Sequence, residues 1–153
     1  VYLEGNIASG GQDSTKTRRY DARYGTPHST LGLVDVQGMT NVRHLELGLS
    51  YKAKPNLEDS ASFHKFYLYD KTDGWFGGTS INNRPGGQFI DPTGASGNDV
   101  GSELNFAVKW DLTKLDTISL ESGVFFPGNF VRALTAGNTR NQLWGMLSYT
   151  RKF

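Results

Sequence analysis

Residues 100–110 constrain the fold more tightly than any other stretch of the sequence. Val100, Ser102, Leu104, Phe106, Val108 and Trp110 alternate with Gly101, Glu103, Asn105, Ala107 and Lys109. An extended chain sends successive side chains to opposite sides, so this stretch reads as a strand with one apolar and one polar face. The pattern recurs. In 117–126, Ile118, Leu120, Val124 and Phe126 oppose Thr117, Ser119, Glu121 and Gly123. In 142–153, Leu143, Gly145, Leu147, Tyr149 and Phe153 oppose Gln142, Trp144, Ser148, Thr150 and Lys152. In 42–53, Leu45, Leu47, Leu49 and Tyr51 oppose His44, Glu46, Gly48, Ser50 and Lys52, and the opening octet sets Val1, Leu3 and Ile7 against Glu4 and Asn6. The segment 60–69 alternates less cleanly. The phase expected there puts Phe66 and Leu68 on the apolar face and sends Lys65 to the polar one.

The connections between these strands alternate in length. Long stretches at 9–40 and 70–99 and an intermediate one at 127–139 are interleaved with short turns around Lys54-Pro55-Asn56 and from Asp111 to Asp116. Loops this long are uncommon in compact soluble domains, whereas outer-membrane barrels combine short periplasmic turns with long extracellular loops. Strands of about 10 residues are long enough to cross a bilayer at a tilt. Aromatic residues gather near both ends of the strands, with Tyr51, Trp110, Tyr149 and Phe153 at one and Tyr67, Tyr69, Phe125 and Phe126 at the other, as in the two girdles of a barrel. If the C-terminus is periplasmic, all three longer loops fall outside and both short turns fall inside.

Composition narrows the class further. The 153 residues include 19 Gly and no Cys, and the net charge is +1. The absence of Cys excludes disulfides and thiolate metal sites. No apolar run reaches the length of a membrane helix. Near-neutral charge gives no support for nucleic-acid binding. Aromatics at 12% argue against disorder. The fold class expected is therefore all-β, an antiparallel transmembrane β-barrel of which about six strands are seen. Small membrane barrels begin at eight strands, so 1–153 is expected to be the C-terminal segment of a single outer-membrane barrel domain. Phe153, a terminal aromatic on the last strand, resembles the signal that the outer-membrane assembly machinery reads.

Several stretches carry a family resemblance. Thr26 to Asp35 (TPHSTLGLVD), Asn41 to Leu45 with Leu47-Gly48-Leu49, His64 to Leu68, Gly97 to Leu104 (GNDVGSEL) and Leu120 to Val131 (LESGVFFPGNFV) occur in an order and spacing that resemble the alginate-export family of bacterial outer-membrane porins. The resemblance implies a large antiparallel barrel that passes hydrophilic solutes or polysaccharide across the outer membrane. It does not carry alginate itself, because the family is not uniform in substrate.

The polar strand faces supply the expected pore lining: Glu4, Asn6, His44, Glu46, Lys52, Lys65, Glu103, Asn105, Lys109, Glu121, Gln142 and Lys152. Charges of both signs on one wall keep a pore wet and set its ion preference, or pair across strands and stabilise the sheet. Glu103 and Lys109 lie about 20 Å apart by strand rise, so each is expected to find a partner on a neighbouring strand. By this phase, Leu104→Arg is expected to be costly and Asn105→Arg to be tolerated. A basic cluster of Lys16, Arg18, Arg19 and Arg23 in the first long loop, beside Asp13 and Asp21, is expected at the pore mouth. There it would attract anionic solutes or lipopolysaccharide phosphates. Leu31, Leu33 and Val34, and Phe89 and Ile90, are apolar enough to fold inward as plugs or to pack loop on loop.

No catalytic residue, metal or cofactor is expected. His28, His44 and His64 lie on different segments, and no nucleophile or phosphate-loop motif is present. Asp91, Asp99 and Glu103 near Gly94 and Gly97 have calcium-like chemistry without an EF-hand spacing, and a plain turn explains them as well. The expected function is passive and non-enzymatic: passage of hydrophilic solutes, anionic ones among the candidates, or of polysaccharide, with membrane lipid and lipopolysaccharide as surroundings. The alternatives are a barrel serving as scaffold or sheath for an electron-transfer or secretion partner, and an outer-membrane hydrolase.

Overall fold

A computed structural model describes residues 1–11, 16, 18–20, 28, 30–77, 89–135 and 140–153. Six strands form one antiparallel sheet in sequence order: β1 (Tyr2–Ala8), β2 (Val42–Lys54), β3 (Leu57–Leu68), β4 (Asp99–Asp111), β5 (Asp116–Pro127) and β6 (Gln142–Arg151). β1 and β6 are its edges, and the sheet does not close on itself. The short turns are Pro55–Asn56 and 112–115, where Thr113 and Asp116 tie the turn together (Oγ1 to Oδ2, 2.6 Å). Among the described residues, no helix is long and apolar enough to cross a membrane.

Directly opposed residues share a face of the sheet. One row runs Glu4, Glu46, His64, Glu103, Phe125 and Gln142 across all six strands. The neighbouring row on the other face runs Leu47, Phe63, Leu104, Val124 and Leu143. The two faces differ in what covers them. His64, Glu103 and Phe125 are buried, whereas Leu47 is 53% exposed and Leu143 80%. Loop segments and a short helix, α1 (Asn129–Leu134), account for this difference.

The core lies on the covered face at the end that carries the long loops. Ala8, Val42, Phe66, Leu68, Val100 and Phe125 of the sheet meet Leu31, Val34, Val36 and Trp75 of the loops and Phe130 and Val131 of α1. The apolar residues of the first loop thus fold inward onto the sheet. Phe89 packs instead on another loop residue, Trp75, with ring centroids 5.7 Å apart. Trp75 in turn stacks on Phe125, with centroids 6.5 Å apart.

Two strand phases differ from those expected. In β3, Phe66 and Leu68 point to the covered face and Lys65 to the open one, beside Phe63 and Tyr67. The loop-end core needs Phe66 and Leu68, and Lys65 sits near the strand's end. There its ammonium pairs with Asp99 at 2.6 Å and lies over the Tyr67 ring. A long cationic side chain at such an edge keeps its head in polar surroundings. In β4 a bulge changes the phase. Phe66 pairs with Gly101 and Tyr67 with Asp99, which leaves Val100 as the extra residue. Val100 therefore turns into the core rather than joining Leu104. Gly101 adopts φ of 147°, and a Cβ there would lie 2.4 Å from the Phe126 carbonyl oxygen. Phe125 is likewise a core residue on the covered face, not part of an aromatic girdle.

Candidate functional site

The covered face divides into two zones. At the loop end it is occupied by the apolar core. Towards the short turns it becomes polar and open, in a hollow of about 630 Å³ that includes Lys109, Lys114, Thr117, Ser119, Thr150 and Lys152 in its lining. Lys52 and Lys109 stand on either side of Glu58 in one cross-strand row, and Ser119 and Ser148 continue it. Among the described residues, no ion pair engages Lys52, Lys109 or Lys152.

Glu4, Asn6, His44, Glu46, Lys52, Glu103, Asn105, Lys109, Glu121 and Gln142 all occupy covered-face positions of the sheet. Lys152 lies just beyond β6, at the hollow. Lys65 does not join them. Glu103 and Asn105 are buried rather than solvated. Glu103 finds a loop backbone group instead of a cross-strand cation: the Val34 N–H donates to its Oε1 at 3.0 Å. Gly32 permits this contact. Its φ is 91°, and a Cβ there would lie 2.4 Å from Glu103 Oε1. Asn105 faces Gly123, where a Cβ would come within 2.6 Å of Asn105 Oδ1 and 2.8 Å of Val34 Cγ2. An arginine at 105 would have to displace the loop, so tolerance of Asn105→Arg is not expected after all.

Between these zones lies a polar network. His44 and His64 are 20 residues apart, but the β2–β3 register places Glu46 opposite His64 and His44 diagonal to it. His44 Nε2 and His64 Nδ1 are 2.9 Å apart. Asn6 Nδ2 lies 3.2 Å from His44 Nδ1, Ser62 Oγ lies 2.7 Å from His64 Nε2, and the Tyr2 hydroxyl donates to Glu46 Oε1 at 2.5 Å. Gly48 makes room for the Tyr2 ring, which would meet a Cβ there at 2.2 Å. Sequence separation concealed this cluster, and strand register is what brings its members together.

The basic loop cluster divides as well. Lys16 and Arg18 are exposed, and Arg23 lies outside the described residues, as do Asp13 and Asp21. Arg19 turns to the next loop. Its guanidinium grips Asp73 of the next loop through Nε (2.8 and 3.0 Å) and Nη2 (2.6 Å), and it covers the Phe76 ring. Asp73 is 1% exposed and also accepts from the Gly11 N–H (2.8 Å) and the Gly74 N–H (2.7 Å). Burial pushes the Asp73 carboxyl up, but the hydrogen bonds from Arg19, Gly11 and Gly74 and the Arg19 charge outweigh it and hold it below the usual carboxylate value. The same hydrogen bond raises the Arg19 guanidinium further. A carboxyl depressed by folding contributes stability above its ordinary value and loses it as pH falls through the depressed one. The Gly11 and Gly74 amides are therefore expected to keep their hydrogen-exchange protection down to about pH 4 and to lose it only in stronger acid. In Asp73→Asn they should exchange faster at neutral pH. Loss of protection near pH 6 in the unsubstituted protein would contradict this assignment.

Asp91 closes its own turn, accepting from Thr93 (Oγ1 2.6 Å, N 2.9 Å) and from the Ser96 N–H (2.7 Å). The Thr93 and Ser96 hydrogen bonds lower its carboxyl value. Asp99 serves Lys65 and Glu103 serves Val34, so the three carboxylates do not form one calcium site among the described residues.

No curated protein matches the chain. The profile of the alginate export family matches residues 2–146. That span includes nearly all of the six-stranded sheet, the loop-end core and the polar network, and the chain belongs to the alginate export family.

Proposed function

We propose that this sheet is one wall of an outer-membrane β-barrel that passes hydrophilic solutes passively, with a preference for anions, and that it carries out no chemistry on them. The observation that carries the reading is the contrast between the faces. Leu3, Ile7, Leu45, Leu47, Leu49, Phe106, Leu120, Leu143 and Leu147 are each at least half exposed and share the open face. An apolar surface of this continuity is rare on soluble monomers and suits a lipid-facing band. Both sheet edges are unpaired. Edge amides and carbonyls cost several kcal/mol each in hydrocarbon, so further strands, from the same protein or from other copies, would complete the wall. Lys109, Lys114 and Lys152 outnumber Asp111 in the lining of the hollow, and Lys52 and Lys109 flank Glu58 beside it, a positive balance that favours anionic solutes such as acidic polysaccharide.

Planar-bilayer recording on the full-length protein tests this. An ohmic channel with anion preference is expected. Lys52→Gln, Lys109→Gln and Lys152→Gln together should reduce the anion-to-cation permeability ratio several-fold at low salt, and less at high salt. A protein that inserts but passes no current would favour the scaffold or sheath reading, for which the apolar core at the loop end is the specific support. An unchanged permeability ratio in the triple variant would remove the lysines from the pore.

A further inference from the structure

We infer that His44, Glu46 and His64 form a binding site for a divalent transition-metal ion, zinc being the simplest occupant. The three residues each offer a ligand atom, all within 4.8 Å of one another, and all three side chains are buried. Two imidazoles and one carboxylate make a familiar three-ligand set for such ions, leaving a fourth position for water or a solute group. The His44 Nε2 to His64 Nδ1 separation of 2.9 Å need open only to about 3.3 Å for two nitrogens bound tetrahedrally at 2.0–2.1 Å. Glu46 offers a carboxylate oxygen within 4.8 Å of the imidazole ligand atoms, and to complete the set its side chain must turn towards His64 Nδ1 from the Nε2 edge, where Oε1 lies at 3.7 Å.

The surroundings support an ion in three ways. First, each ligand has an outer partner, as metal ligands usually do. Ser62 Oγ can accept from His64 Nε2–H, which leaves Nδ1 free to coordinate, and Tyr2 fixes Glu46. His44 Nδ1 lies 3.2 Å from Asn6 Nδ2, which also donates to Glu4 Oε1 at 2.7 Å; coordination through His44 Nε2 requires that amide to release Glu4 and turn its oxygen to accept from Nδ1–H. Second, the row containing the site is rich in carboxylate. Glu4 stands opposite Glu46, and Glu103 stands opposite His64. Neither Glu4 nor Glu103 has a lysine or arginine partner among the described residues. A divalent ion would offset that charge where no side-chain cation does. Third, a cavity of about 170 Å³ has His64, Glu46 and Ser62 in its wall, so an ion has access and the fourth ligand has room.

The test uses the full-length protein in detergent, stripped of metal and titrated with Co²⁺ and then Zn²⁺. One Co²⁺ per chain is expected, with the intense visible bands of a four-coordinate site, displaced by zinc at a Kd in the micromolar range or tighter. Outer-shell substitutions at metal sites typically weaken binding 10- to 100-fold, so loss of a ligand in His44→Gln or His64→Gln should weaken zinc by at least about 100-fold. Glu46→Gln should weaken it by about 10-fold or more. His28→Gln, in a loop where that imidazole pairs with Asp35, should leave binding unchanged. Heat-modifiable migration on gels confirms that each variant is folded, and the Co²⁺ spectrum of the unsubstituted protein needs no variant at all. Absence of saturable binding at 100 μM ion would overturn the inference. So would a weak six-coordinate spectrum, or binding lost in His28→Gln but kept in His64→Gln. None of these outcomes depends on whether the pore conducts.

Discussion

Leu104→Arg is expected to lower the unfolding free energy of the full-length protein in lipid vesicles by about 2–4 kcal/mol, the cost of an arginine at the midplane of a barrel's lipid face. Leu104 sits in the row Leu47, Phe63, Leu104, Val124 and Leu143, near the middle of its strand, on the face that none of the described loop residues covers. In water the same substitution at a position 37% exposed would cost little, because an exposed surface site usually tolerates change within about 0.5 kcal/mol. The size of the effect thus reports the solvent on that face. The matched control is Ser119→Arg, which points into the polar hollow and should stay within about 0.5 kcal/mol. Denaturant titration of both variants, with tryptophan emission as readout, makes the comparison. Equal costs would mean that the open face does not meet lipid, and the barrel reading would fall with it.

Where the alternation was clean, the strands and their faces were legible in the sequence. β2, most of β4, β5 and β6 each present a single apolar face, since the opposite face there is polar. At the loop end that contrast disappears. His64, Phe66 and Leu68 meet the loop-end core while Phe63 and Tyr67 stay on the open face, so both phases of β3 look apolar and the pattern alone cannot choose between them. The bulge at Val100 is invisible for a related reason. One extra residue reverses the face, yet Val100 is as apolar as Leu104. α1 is six residues long, less than two turns, too short for a helical period to stand out in the expected loop 127–139. The polar cluster needed strand register. His44, Glu46 and His64 are linked only through the pairing of Glu46 with His64, and a shift of one residue would put His64 on the other face. Arg19 was recognisable as a loop cation, but its partner Asp73 is 54 residues away, and only loop-on-loop packing brings the two together.

Trp75→Ala is expected to cost about 3–5 kcal/mol, the usual range for removing a fully buried large aromatic side chain. The indole is 1% exposed and lies between Phe89 of its own loop and Phe125 of β5. It links the loop layer to the sheet: the Trp75 N–H donates to the Phe89 carbonyl (2.9 Å), and two residues before it Asp73 holds Arg19 of the first loop. Its neighbours cannot easily fill the space. Val36, Val42, Phe66 and Phe130 are themselves fully buried, and collapse around the hole would have to pull the loops away from strands whose spacing the backbone ladder fixes. The loss should therefore appear as loosening of the loop layer ahead of the sheet. Limited proteolysis of the folded protein should cleave within 70–99 many-fold faster in the variant, while the amides of β2 to β5 keep their exchange protection. Trp110→Ala provides the contrast. That indole is 49% exposed on the open face near the turn end, so its loss leaves no enclosed cavity and should leave loop cleavage unchanged. If the loops do narrow a pore, the same Trp75→Ala channel should also conduct more and flicker more. Loop cleavage equal in the two tryptophan variants would mean that the loop layer is held independently of the core beneath it.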